Sequence, residues 1–262
     1  MDLTHRTTLG RTGLAVSRVG IGSSYGVRGE SLERAFHEHG VNLFYWGSVR
    51  RASFGEGIRR LAAAHRDRIV VMLQSYDRSG LLMKPMIERG LRKAGLEFAD
   101  ILLLGWHGKE PAPRILDAAR ALKERGRVRF LALSGHHRPL FGELARREDA
   151  PFDVLMFRYN AAHRGAESEI LPLLSRSGRP GTIGYTATRW GTLVKAGLSA
   201  ADCYRFVLAR PEIDVCLLGP RLEREMEEGL SALPRGPLDA DELDRARAIG
   251  DRVRLQGSRS SS

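Results

Sequence analysis

Cysteine, long apolar runs and acidic charge are what this chain has least of. Two cysteines, Cys203 and Cys216, occur in 262 residues, and both lie in apolar stretches. That scarcity excludes a disulfide framework or a cysteine metal cluster, and the pair reads as core thiols in a reducing compartment. No stretch approaches the roughly 20 apolar residues of a membrane span, and the opening MDLTHRTTLG lacks a basic segment followed by an apolar one. A cytoplasmic protein without a membrane anchor is expected.

Acidic residues number 31 against 42 Lys and Arg, a formal net charge of +11. An excess of this size suits an anionic partner. The arginines are scattered through helical stretches, with no RNA-binding fingerprint, zinc spacing or aromatic-interleaved basic run beside them. A nucleic-acid surface is therefore not expected, and a small acidic molecule is. Histidines are not set at ligand spacing on one element, and the adjacent His136 and His137 would point apart in an extended chain, so no metal is expected.

What is present is an alternation of short aliphatic runs with longer stretches of helical period. Val19–Gly22, Leu43–Tyr45, Ile69–Gln74, Ile101–Leu104, Val128–Ser134, Val154–Arg158, Gly181–Tyr185 and Val215–Leu218 read as strands. Between them Ser31–His39, Met83–Ala94, Ala112–Arg125, Glu167–Ser175, Ala200–Ala209 and Arg221–Leu230 read as helices, and Asp239–Val253 as a last outer helix. Gly40, Gly95 and Gly126 stand where left-handed helix caps belong. Eight such alternations, in a chain close to the ~250 residues of a TIM barrel, specify an α/β fold of the (β/α)8 class. Thr7–Leu9 and Leu14–Val16 flank Gly10-Arg11-Thr12-Gly13 as a β-hairpin that would plug the N-terminal end. One domain is expected over 1–256, with a Ser-rich, disordered tail over 257–262.

Several short motifs carry a resemblance. Leu9-Gly-Arg-Thr-Gly-Leu14, Val16-Ser-Arg-Val-Gly-Ile-Gly22, Gly40-Val-Asn-Leu-Phe44, Asp100-Ile-Leu-Leu-Leu104, Glu124-Arg-Gly-Arg-Val-Arg129 running into Ser134, and Tyr159-Asn160 follow one another in the order and spacing of the aldo-keto reductase superfamily. Each is weak alone; the ordered set, from about residue 7 to 232, is specific. The resemblance implies the barrel and a reduced nicotinamide cofactor at its C-terminal mouth. It also implies an Asp, Tyr, Lys and His at the strand ends that reduce carbonyls. At those positions this chain has Tyr45, Arg50, Gln74 and Gly105. A guanidinium does not give up a proton at neutral pH, and an amide does not lower a phenol's pKa as an ammonium does, so the proton relay should be absent.

Cofactor positions implied by the resemblance are partly kept. Ser134 stands at the carboxamide site, but Gly135 and Met156 replace its amide companions. Tyr185 stands at the nicotinamide-stacking position, and Gly219-Pro-Arg221 resembles the phosphate turn, where a helix N-terminus supplies N–H donors. Glu225 replaces the Arg that pairs with the 2′-phosphate, leaving Arg221 or Arg224 as substitutes. Retained NADP(H) binding stays open.

Chemistry on this fold sits just beyond the strands. Arg50 and Arg51 offer a forked clamp for carboxylate or phosphate, next to Tyr45 and Trp46. Gln74, Trp106, Tyr159, His163 and Arg189 complete the candidate substrate site. His107, two places past the lost His, would point the same way if its strand continued. Tyr45, His107 and Arg50 are the candidate catalytic groups. Three readings follow: a rebuilt enzyme acting on an acidic small molecule by lyase, cyclase, isomerase, dehydratase or other altered chemistry; an NADPH-dependent oxidoreductase with a relocated proton donor; and a silent binding protein.

Overall fold

The computed structural model describes residues 2–259, with side chains through Gln256. A two-stranded antiparallel hairpin, β1 (Thr7–Thr8) and β2 (Ala15–Val16), comes first. Eight parallel strands then alternate with helices: β3 (Val19–Gly22), α1 (Gly29–His39), β4 (Leu43–Trp46), α2 (Ala52–His65), β5 (Val70–Ser75), α3 (Met83–Ala94), β6 (Ala99–Leu104) and α4 (Pro113–Glu124). There follow β7 (Val128–Gly135), α5 (Arg138–Arg146), β8 (Val154–Arg158), α6 (Ala166–Glu169), β9 (Gly181–Tyr185), α7 (Thr192–Lys195), α8 (Ala200–Leu208), β10 (Val215–Leu218), α9 (Glu223–Leu230) and α10 (Ala240–Arg259). β10 pairs with β3, closing the barrel. Among the described residues no helix is long and apolar enough to cross a membrane. Of the tail expected over 257–262, the first three residues continue α10 in backbone, and the rest lies outside the described residues.

Two apolar layers hold the barrel, and the period of two along each strand decides which layer a side chain joins. Leu43, Tyr45, Val154 and Met156 are among the residues filling the interior, whereas Phe44, Trp46, Leu155 and Phe157 pack outward beneath the helices. Leu9, Leu14 and Val16 of the hairpin region join the interior set and seal its floor. Gly10 makes that seal fit: at φ +45° it lies so close to Gly181 and Pro180 that a Cβ would overlap their backbone. Gly40 and Gly95 cap α1 and α3 in the left-handed conformation, and Gly126, at φ +67°, turns the chain after α4.

One helix differs from expectation. The stretch read as Glu167–Ser175 is a single turn, α6, followed by a 3-10 segment at Leu171–Leu174. Pro172 has no N–H to donate and disfavours a helical Ile170–Leu171 lead-in, so the α-helix stops at Glu169.

The floor also holds two buried carboxylates, each met by guanidinium and backbone donors. Asp100, 2% exposed, is bonded by Arg66 at 3.0 Å, by Arg129 at 3.2 Å and by the Val71 N–H at 2.8 Å. Asp214, also 2% exposed, receives both prongs of Arg179 at 2.9 and 2.7 Å and the Thr182 N–H at 2.9 Å.

Candidate functional site

The C-terminal mouth contains a cavity of about 420 Å³, walled by strand ends and the loops after them. Tyr45, Gln74, Ser134 and Met156 form its depth; Tyr25, Tyr76, Trp106, His136, Tyr185 and Trp190 form its sides. A wider hollow of about 560 Å³ opens at the floor beside Arg66, Asp100 and Arg129, whose charges already pair with one another.

At the centre, the Tyr45 hydroxyl donates to Gln74 Oε1. Burial, and after it the neighbouring Tyr76, hold the Tyr45 pKa well above the ordinary phenol value, so the group is a neutral donor and not a base. Gln74 also occupies the space a side chain at Gly105 would need: a Cβ there would meet the Gln74 amide nitrogen and the Tyr76 ring. The pair Tyr45 and Gln74 thus fills the volume between three of the replaced positions.

The structure separates the other sequence candidates. Arg50 and Arg51 are exposed and line a side hollow of about 410 Å³ with Ser23, Ser24, Gly47 and Ser48, with Tyr76 standing between it and the main mouth. Arg51 donates to the Ser24 carbonyl at 3.0 Å. Arg50, expected as a catalytic or anchoring group, therefore does not meet Tyr45, because the loop after β4 carries it outward. Trp46 is 1% exposed, packs over Gly55 and gives its indole N–H to the Arg51 carbonyl at 3.1 Å. It lies beneath α2, one residue out of phase with Tyr45, and does not line the mouth cavity.

Tyr159 is out of phase in the same way. Wholly buried on the outer face, it stacks near Phe206, donates to Glu167 at 2.7 Å and accepts from Arg210 at 3.1 Å. His107 fails its condition, since β6 ends at Leu104 and Trp106 takes φ +57°, turning the chain away from strand geometry. The imidazole lies buried with Nε2 accepting from Arg78 at 3.2 Å; burial first and Arg78 second bring its pKa down to about 4. A lone pair already engaged by a guanidinium is not available as a base in the mouth. Trp106 itself is 68% exposed and sits edge-on to Tyr76 on the cavity wall.

One group absent from the sequence candidates ends its strand in the interior phase, at the edge of the mouth. Arg158 ends β8 in phase with Val154 and Met156, beside Tyr185 of β9. Strand alternation alone could have found it. Arg138, Arg189, His136 and His163 stand within electrostatic reach of it. His163, bonded through Nδ1 to Asn160 at 3.2 Å, is brought down to about 4 by burial and then by Arg158, Arg189 and Arg138. His136, between the Trp106 and Tyr185 rings, is lowered by partial enclosure and by Arg158.

The cofactor positions divide. Ser134 and Tyr185 line the mouth, Ser134 Oγ accepting from the Trp106 N–H at 3.1 Å and Tyr185 donating to the Gly135 carbonyl at 3.2 Å. Gly219 reaches the cavity edge against the Tyr25 ring. At the phosphate end, the Arg221 N–H is taken by the Glu225 carboxylate at 2.7 Å, Arg221 lies over Tyr25, and Arg224 is exposed. A carboxylate at the phosphate turn opposes a second anion there, so these residues do not fit NADP(H) in the family's manner. Among the described residues no cluster of three or more His, Cys, Asp or Glu is placed to hold a metal ion.

No protein-family model matches the chain. It is similar to the L-galactose dehydrogenase of Arabidopsis thaliana, 25% identical over 307 residues that take in 94% of each protein. Among solved structures, an aldo-keto reductase from Bacillus halodurans superposes with a TM-score of 0.78 in its holo form, at 16% identity over 94% of this chain and 96% of that one. Its apo form gives 0.74, at the same identity, over 94% and 95%. The fold is that of a TIM barrel of the aldo-keto reductase type. The barrel that the motif resemblance implied is the one observed.

Proposed function

We propose that the protein is an enzyme of the aldo-keto reductase superfamily that binds a small acidic molecule in its mouth and transforms it without the family's proton relay, by lyase, cyclase, isomerase or dehydratase chemistry. The observation that carries this reading is the closed pair of Tyr45 and Gln74 filling the relay's place. No lysine lines the cavity, and burial holds the Tyr45 pKa well above the ordinary phenol value, so Tyr45 stays protonated and suits a hydrogen-bond donor toward a carbonyl or leaving oxygen. The excess of basic residues and the arginines at the rim favour an acidic substrate. The two buried free cysteines suit a reducing cytoplasm.

The test is reduction of standard aldehydes and ketones with NADPH. Negligible turnover is expected; a rate within about tenfold of ordinary carbonyl reductases would sink the reading. A second reading, an oxidoreductase with Tyr45 as relocated proton donor, draws on Ser134 and Tyr185 lining the mouth and on the dehydrogenase named among the relatives. A rise in melting temperature with NADPH or NADP⁺ would favour it.

A further inference from the structure

Arg158 differs from its cationic neighbours in having no carboxylate. Arg138 pairs with Glu169 at 2.8 Å, and Arg164 pairs with Asp251 at 3.0 and 3.1 Å. Arg189 gives one N–H to the Val253 carbonyl at 3.2 Å. Among the described residues no acid pairs with Arg158; its charged neighbours are Arg138 and Arg189. A partly buried guanidinium facing like charge is a costly arrangement that an incoming anion relieves. The site is also held in shape. The Asn160 amide joins the two rim loops, donating to the Thr186 carbonyl at 2.9 Å and accepting from the His163 N–H at 3.0 Å. Arg138 crosses so close over Gly165 that a Cβ there would collide with its guanidinium.

Beside Arg158 the wall is made of flat rings. The Tyr76 and Trp106 centroids lie 6.0 Å apart, Trp106 and His136 6.4 Å, and His136 and Tyr185 5.7 Å. These rings lead from the cavity's depth at Tyr45 toward the β8 and β9 rim.

We propose that Arg158 is the anion anchor of the mouth, and that with Arg189 and His163 it holds the carboxylate of a planar, aromatic or conjugated acid whose body lies along Tyr76, Trp106, His136 and Tyr185. This deepens, and rests on, the reading of the mouth as a site for a small acid. It moves the anchor from the β4 loop, where Arg50 and Arg51 are, to the end of β8. A guanidinium supplies two parallel N–H bonds to a carboxylate, and the rings supply area to a flat body, so the ligand needs both parts.

The experiment compares benzoate with benzamide, which keeps the ring and loses the charge. Binding is followed by the fluorescence of Trp106 and Trp190 and by thermal shift. Wild type should bind benzoate at least about tenfold more tightly than benzamide, and Arg158→Gln should erase that ratio by weakening benzoate alone. Arg158→Lys should restore part of it, and Arg50→Ala should leave it unchanged. A ratio that survives in Arg158→Gln but collapses in Arg50→Ala would overturn this inference while leaving the mouth a site for acids. Equal binding of the two probes, or no binding of either at about 10 mM, would overturn both.

Discussion

The two ends of the barrel treat charge in opposite ways. At the floor, Asp100 and Asp214 are almost wholly buried and each is met by guanidinium and backbone N–H donors. At the mouth, Arg158 has no acid, and two imidazoles are held neutral by burial and nearby arginines. The backbone divides the same way: among the described residues, the non-glycine residues at positive φ, Trp106, Thr186, Arg189 and Trp190, all stand on mouth loops. Uncompensated charge and unfavourable backbone geometry persist only where the surrounding structure enforces them, and they gather at sites that act on ligands. The floor has the character of a stabilising network, and the mouth that of the binding site proposed above.

The comparison breaks most visibly at the floor. Asp214→Ala leaves Arg179 without its acid and Thr182 without an acceptor, and should cost ~3–5 kcal/mol, a melting temperature lower by about 10 °C. A loss below ~1 kcal/mol in denaturant titration would show that the floor pairs are not structural.

At the mouth the corresponding lever is pH. His107 and His163, with folded values of about 4 against the usual 6.5, stay neutral in the fold while the unfolded chain takes up protons near 6.5. Their contribution is complete above 6.5 and is lost as pH falls toward about 4. Melting temperature should therefore fall across that window, and less steeply in His163→Gln. An unchanged profile in that variant would remove His163 from the electropositive rim.

The smallest effect expected is a gain. Thr186, β-branched at φ +60°, should be relieved by Thr186→Gly, leaving stability equal or higher by ~1 kcal/mol. A clear loss would mean that its hydroxyl contact to the Tyr185 carbonyl, at 2.6 Å, outweighs the backbone cost.

The fold was largely legible because strands and helix caps write themselves locally. Val19–Gly22, Val154–Arg158, Gly181–Tyr185 and Val215–Leu218 coincide with β3, β8, β9 and β10. The site was less legible, for two separable reasons. Tyr45 and Trp46, or Arg158 and Tyr159, are neighbours in sequence but lie on opposite faces of a strand, and an aromatic or polar residue near a strand end is no guide to which face it takes. Applying the period of two to each strand's end places Trp46 and Tyr159 on the outer face and Arg158 in the inner phase. The positions of His107 and Arg50 depended instead on loop conformation: the left-handed residue after β6 is Trp106 and not its neighbour Gly105, and Gly47, which opens the β4 loop, takes no left-handed conformation that would mark the turn.

The contrast between the two ends is tested most directly by replacing the mouth's unpaired charge with an apolar side chain of similar length. In Arg158→Met, measured without anions, the melting temperature should equal or exceed that of wild type, because a guanidinium lacking an acid has been removed from among like charges. Benzoate, which should raise the melting temperature of wild type, should no longer do so in the variant. A melting temperature lowered by several degrees, with the benzoate effect intact, would mean that Arg158 stabilises the barrel as the floor arginines do, and would contradict the account.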